Sequence, residues 1–193
     1  INRVDNQFLH LAALFSRTVV YFIRPLGVQS MAMSYVCPAV TIECGKPDQE
    51  YGLEHARDYI DACLHLNDLP EHPVPSHDVE LFHTVATVKV PEAVSFSFDD
   101  EAVDLQLLGN IDHLNFRELP AGTQLGRLQP GASVTLDVRD ENGRSICDRY
   151  FSIEDDSLVT ARPLMPSMFT LDERIIRQDC LGYLMERLLP ESG

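Results

Sequence analysis

At 193 residues and 45% hydrophobic content, the chain can bury one ordinary core or two small lobes. Its formal net charge is −15 and its only lysines are Lys46 and Lys89. The clustered bases that bind phosphate backbones or anionic membrane surfaces are therefore lacking, and neither nucleic acid nor membrane is expected as a partner.

No apolar run approaches the roughly 20 residues of a membrane-spanning helix. No charged leader followed by an apolar stretch and a cleavage site is read at the start. The chain opens on Ile1 rather than Met, so the natural polypeptide is expected to extend upstream. The five cysteines (Cys37, Cys44, Cys63, Cys147 and Cys180) are odd in number and include no Cys-x-x-Cys. They predict neither a disulfide framework nor a Cys-rich zinc site, and they suit a reducing cytoplasm.

In chain order, Phe8, Leu9, Leu11, Ala12, Leu14 and Phe15 form a helix-like apolar stripe. Thr18 to Ile23 is β-branched and aromatic and reads as a strand ended by Pro25. After Pro38, the nearly continuous apolar run from Ala39 to Cys44 predicts a strand buried on both faces, as in a parallel sheet. Gly45-Lys46-Pro47 breaks it. A helix is predicted from about Tyr51 to Leu66, with Leu53, Ala56, Tyr59, Ile60, Cys63 and Leu64 on its apolar side. Residues 1–67 thus read as the end of an α/β layer. Residues 68–77, with three prolines in the stretch, read as a linker.

Residues 78–193 read as a β-rich domain with a terminal helix. Strand-like runs occur at Val79–Val90, Ala93–Phe98, Val103–Leu108, Gln124–Leu128, Ser133–Val138 and Ser145–Ile153. Asp140-Glu141-Asn142-Gly143 marks a hairpin, because Asn-Gly accepts positive φ. A small antiparallel barrel or sandwich is expected. The stretch Thr170 to Leu189 predicts a final helix, capped by Thr170 with Glu173 three residues on.

Glu43 is the most informative residue for chemistry. It stands near the end of an otherwise apolar run, where burying a carboxylate is costly unless it is paired or faces a cavity. At the carboxyl ends of α/β strands ligands bind, and a carboxylate there can act as general base toward a metal-bound water. The alternative is an acid that has simply reached solvent.

Pro38-Ala39-Val40-Thr41-Ile42-Glu43-Cys44-Gly45 resembles the PAxTxExG signature of the succinylglutamate desuccinylase/aspartoacylase family, a branch of the zinc carboxypeptidase superfamily. The order of elements is similar too: a helix after this run, a crossover, then a C-terminal β domain. The resemblance implies a zinc-dependent hydrolase that deacylates an N-acyl amino acid or a related, peptide-like small molecule. Glu43 would pass a proton from zinc-bound water to the leaving amine. It also implies that the Zn2+ ligands, an HxxE motif and a later His, lie upstream of this chain. His77-Asp78-Val79-Glu80 has that spacing but follows Glu43 and falls in the wrong place.

Two departures leave substrate selectivity open. The loop Gln29–Tyr35 holds no arginine, and residues 162–174 hold no tyrosine. Arg24 is the substitute candidate for a substrate-carboxylate clamp, since a guanidinium grips carboxylates in a bidentate way. His113 is a weaker candidate because it lies in a loop of the β domain, and the other histidines read as packing, surface or linker. No lysine stands where a carrier-domain hairpin tip would need one. The competing expectation is a non-catalytic binding or assembly module that keeps the fold without a metal site. A homo-oligomer is compatible with either.

Overall fold

The computed structural model describes residues 1–45, 50–99, 102–132 and 134–188. The elements in order are α1 (Asn6–Ala13), β1 (Thr18–Tyr21), α2 (Gln29–Met33), α3 (Glu50–Leu64), β2 (Glu80–Lys89), β3 (Phe96–Ser97), β4 (Leu105–Leu107), a 3-10 turn (Ile111–Leu114), β5 (Gln124–Leu128), β6 (Asp137–Asp140), α4 (Cys147–Tyr150), β7 (Phe151–Glu154), β8 (Ser157–Thr160), β9 (Met165–Ser167), α5 (Glu173–Gln178) and β10 (Gly182–Arg187). The fold is mixed α/β, with two sheets that each combine parallel and antiparallel pairs. No helix among the described residues is long and apolar enough to cross a membrane.

Two compact units divide the chain: Ile1–His83 with Arg187–Gly193, and Thr84–Glu186. The division falls inside β2, and residues 68–77, expected as a linker, belong to the first unit. Asn6 Nδ2 donates to the Glu71 carbonyl, and the His10 ring lies edge-on to His72 at 4.9 Å.

In the first unit, α1 starts where the Asp5 side chain accepts the Phe8 amide, which satisfies one orphan donor of the first turn. Its apolar stripe buries Phe8 with Ile1 and Val19, and Leu9, Ala12, Tyr21, Val40, Val79 and Leu81 pack against them. β1 runs parallel to the first half of β2, with Thr18 opposite Glu80 and Tyr21 opposite His83. On the other side of β1, the Ile1 nitrogen donates to Val20 and the Ile1 carbonyl accepts from Phe22, the offset of a parallel ladder. The expected helix–strand alternation is therefore present from α1 to β1.

The predicted helix after residue 50 is α3. Tyr59 Oη donates to the Leu11 carbonyl, and the His55 ring stacks on Phe15 at 4.2 Å. Its buried side is Gly52 and Tyr59, however. Leu53, Ile60 and Leu64, predicted to face the core, stand 64%, 55% and 78% exposed. Tyr59, on the predicted apolar side, is buried as expected, and Gly52 rather than the leucines and Ile60 makes the other close contact.

The run 38–45 is not the predicted strand: it carries no regular secondary structure. Val40, Thr41 and Ile42 favour extended backbone, but a strand also needs a ladder partner. Thr41 Oγ1 instead donates to Ser30 Oγ of α2 at 2.9 Å.

In the second unit, β4, β5, β8 and β7 form a four-strand antiparallel succession, and β3 joins β4 in parallel. β6 pairs antiparallel with the second half of β2, and β9 with β10. Leu105, Leu107, Leu125, Val138, Phe151 and Leu184 sit in one continuous core. Full burial of such side chains stabilises by about 1.5–3 kcal/mol each. The expected strand-rich region is present, in sheets that mix antiparallel pairs with short parallel ones. The Asp140–Gly143 turn is also present, with Gly143 N donating to Asp140. The predicted strand Ser145–Ile153 is instead the helical turn α4 followed by β7.

The predicted terminal helix Thr170–Leu189 is also corrected. α5 covers only Glu173–Gln178 and is capped by Asp172, whose carboxylate accepts from the Arg174 and Ile175 amides. The chain then enters β10. Leu181, Leu184 and Met185 are all buried, a burial that suits a two-sided strand better than a one-sided helical stripe. Ile175, within the predicted helix, is exposed.

Candidate functional site

Glu43 lies in the first unit, in the irregular segment after Pro38, and its side chain is exposed. Three contacts hold the segment around it. Upstream, Val40 packs on the Ile1–Phe8–Val19 core and Thr41 is tied to Ser30. Ser30 is itself buried at the start of α2. Downstream, the Cys44 carbonyl lies directly against Gly52 of α3, where any Cβ would collide with it. Gly45 then turns the chain at φ 89, a conformation that favours glycine. The two ends of the motif-like run are thus fixed by one side-chain bond and one backbone contact, with Glu43 held between them.

An exposed carboxylate at a fixed backbone position can accept a proton from water that reaches it. Glu43 makes no hydrogen bond or ion pair with another described residue, so its oxygens are not committed to a structural partner.

Arg24 lies in the same unit, exposed, in the loop that follows β1. Its peptide bond to Pro25 is cis. No hydrogen bond or ion pair joins Arg24 to Glu43 or to any other described residue. The two candidate site residues are not brought into contact. Gly45 is described, while Lys46 and Pro47, the rest of the predicted break, lie outside the described residues.

Among the described residues no group of three or more His, Cys, Asp or Glu side chains could hold a metal ion. The described residues supply no zinc-ligand set of their own, and the resemblance places that set upstream. The histidines have local roles. His55 Nε2 contacts the Phe15 carbonyl at 2.8 Å, and His10 Nε2 the His72 carbonyl at 2.9 Å. His77 pairs with Asp78 at 3.4 Å, and Glu80, the last residue of the His-x-x-Glu spacing, pairs with Arg187 at 3.6 Å. His113 sits at the end of the 3-10 turn beside Asp112. All five cysteines are free. Cys147 and Cys180 are buried, Cys44 and Cys63 are partly buried, and Cys37 is exposed.

A second constellation, in the second unit, escaped the sequence reading. Tyr150 is completely buried, and its hydroxyl donates to Glu186 Oε1 at 2.7 Å. Burial, reinforced by this hydrogen bond to the carboxylate, pushes the Tyr150 phenol well above its ordinary range. Arg149 Nη2 donates to both Glu186 oxygens at 3.1 and 3.4 Å, and Arg162 Nη2 stands 3.5 Å from Oε1. Both guanidiniums also lie over the Tyr150 ring, at 5.2 and 5.7 Å from its centroid. The only local signal was the adjacent Arg149-Tyr150 pair. The fold brings the rest together: Arg149 and Tyr150 stand in α4, Arg162 follows β8, and Glu186 stands in β10, 37 positions from Arg149.

No protein-family model, curated protein or solved structure matches the chain.

Proposed function

We propose that this chain carries the proton-transfer carboxylate of a zinc-dependent amide hydrolase that deacylates an N-acyl amino acid or a related, peptide-like small molecule. The observation that carries the reading is Glu43: an uncommitted, exposed carboxylate in a segment pinned by Thr41–Ser30 on one side and Cys44–Gly52 on the other. The eight-residue run that contains it resembles the family signature. Holding the backbone on both sides of Glu43 reduces the freedom that must be lost when a base meets its proton.

On this proposal the zinc ligands belong to residues outside the 193 of this chain. When bound, zinc would supply electrostatic activation of water and carbonyl. Glu43 would accept the water proton and return it to the leaving amine. Arg24 would contribute a fork of N–H donors for a substrate carboxylate. Metal analysis of the intact protein tests the reading, paired with hydrolysis assays over a panel of N-acyl amino acids. About one zinc per chain with amide cleavage supports it. A folded, metal-free and inactive protein overturns it.

One observation favours a second reading, a non-catalytic assembly module. Leu53, Ile60 and Leu64 form an exposed apolar line along α3, the sort of surface that marks association sites. Sedimentation of the metal-free protein distinguishes the two. Stable association without turnover supports the module, and a monomer that hydrolyses amides removes it.

A further inference from the structure

The Arg149–Tyr150–Arg162–Glu186 cluster has more positive charge and more donors than it uses internally. Glu186 is already satisfied: one oxygen accepts from the Tyr150 hydroxyl, and both accept from Arg149. Arg162 adds charge at 3.5 Å but makes no hydrogen bond with a described residue. Two guanidiniums facing one carboxylate leave a net charge of +1. Asp148, next to Arg149 in the chain, forms no ion pair with either arginine. The surplus stands in a chain whose overall charge is −15.

The guanidiniums are also oriented in advance. The buried Tyr150 ring supports both, and Glu186 anchors one edge of each. Their side chains remain 50% and 42% exposed, so solutes can reach the free N–H groups. Two long, flexible side chains usually lose rotamer freedom when they grip a ligand. Here the ring and the carboxylate have already taken much of that freedom.

We infer that Arg149 and Arg162 form a binding site for the carboxylate group of a small molecule, with Arg162 as the principal donor. The planar fork of a guanidinium matches a carboxylate in two parallel hydrogen bonds. One negative charge neutralises the local surplus. A phosphate dianion would over-neutralise it in an already acidic chain. This site does not depend on the role assigned to Glu43.

The test is an NMR titration of the whole chain, following the arginine Nε–Hε signals with sodium acetate, sodium phosphate and sodium chloride at matched ionic strength. Saturable shifts at Arg162 and Arg149 are expected with acetate and not with chloride. Arg162→Gln leaves the Tyr150 and Arg149 bonds to Glu186 in place and should weaken acetate binding roughly tenfold or more, the loss of one charge-assisted hydrogen bond. Arg162→Lys keeps the charge without the fork, and it is expected to bind acetate more weakly than the native chain. It also serves as the test variant should Arg162→Gln fail to fold. Shifts identical to those of chloride, unchanged acetate affinity in the folded variant, or tighter phosphate than acetate binding would each overturn the assignment.

Discussion

The carbonyl of Cys44 rests against Gly52, so closely that no side chain could stand between them. This contact joins the segment bearing Glu43 to the first turns of α3. It predicts that Gly52→Ala destabilises the protein even though alanine is the better helix former. Overpacking of this kind costs about 1–3 kcal/mol. Urea unfolding should show a lower midpoint with an unchanged slope, and the backbone amide signals of residues 41–45 should shift. An equal or higher midpoint would mean that the contact does not exist.

Tyr150 offers a test of the second unit. Tyr150→Phe removes the hydroxyl that donates to Glu186 at 2.7 Å and leaves the ring in place. A hydrogen bond to a charged group contributes about 1.5–3 kcal/mol. Chemical unfolding should register a loss of that order, whereas Tyr35→Phe, at an exposed position, should register almost none.

Alkaline pH should unfold the protein. Burial raises the Tyr183 phenol from 10.0 to about 12, and burial raises Tyr59 and Tyr150 further. Above pH 10 the unfolded chain loses these protons and the folded chain keeps them. The folded state then binds more protons, so stability falls as pH rises. For Tyr183 the stabilisation is complete below pH 10 and is lost as pH rises through about 12. Urea midpoints taken across that window should decline, and Tyr183→Phe should flatten part of the decline. A midpoint independent of pH there would contradict the burial of these phenols.

The outer face of α3 predicts a change with little effect on folding. Leu53, Ile60 and Leu64 are exposed, so replacing them with glutamine, of similar helix propensity, should move stability by no more than about 0.5 kcal/mol each. Sedimentation should show reduced self-association if this face serves assembly. A large loss of stability would instead place the face in a packed interior.

Periodicity made the local elements legible where one side of an element is buried and the other wet. α1, β1, β2 and β5 follow their apolar patterns, and α3 follows its own in part, burying Tyr59 while Leu53, Ile60 and Leu64 stay exposed. It failed where burial is two-sided or where pairing decides. Tyr183 and Leu184 suit a helical stripe by spacing, yet belong to β10. Val40-Thr41-Ile42 looked like a strand by composition, yet has no ladder and bonds through Thr41 to Ser30. At the candidate site, Glu43 was visible because an acid in an apolar run is conspicuous. The grip of Gly52 on Cys44 was invisible, because close backbone approach leaves no mark beyond one glycine in a helix. The Glu186 cluster was hidden for a related reason: Arg149 and Tyr150 of α4 meet Glu186 of β10 only in the folded chain, 36 to 37 positions apart in sequence.

The central claim is that Glu43 moves the proton in amide hydrolysis, and Glu43→Gln in the intact protein tests it most directly. Glutamine keeps the shape and cannot accept the proton. Hydrolysis of the best N-acyl amino acid substrate should fall about 10²–10⁴-fold, with zinc content and unfolding midpoint unchanged. Turnover equal to that of the native protein would contradict the account.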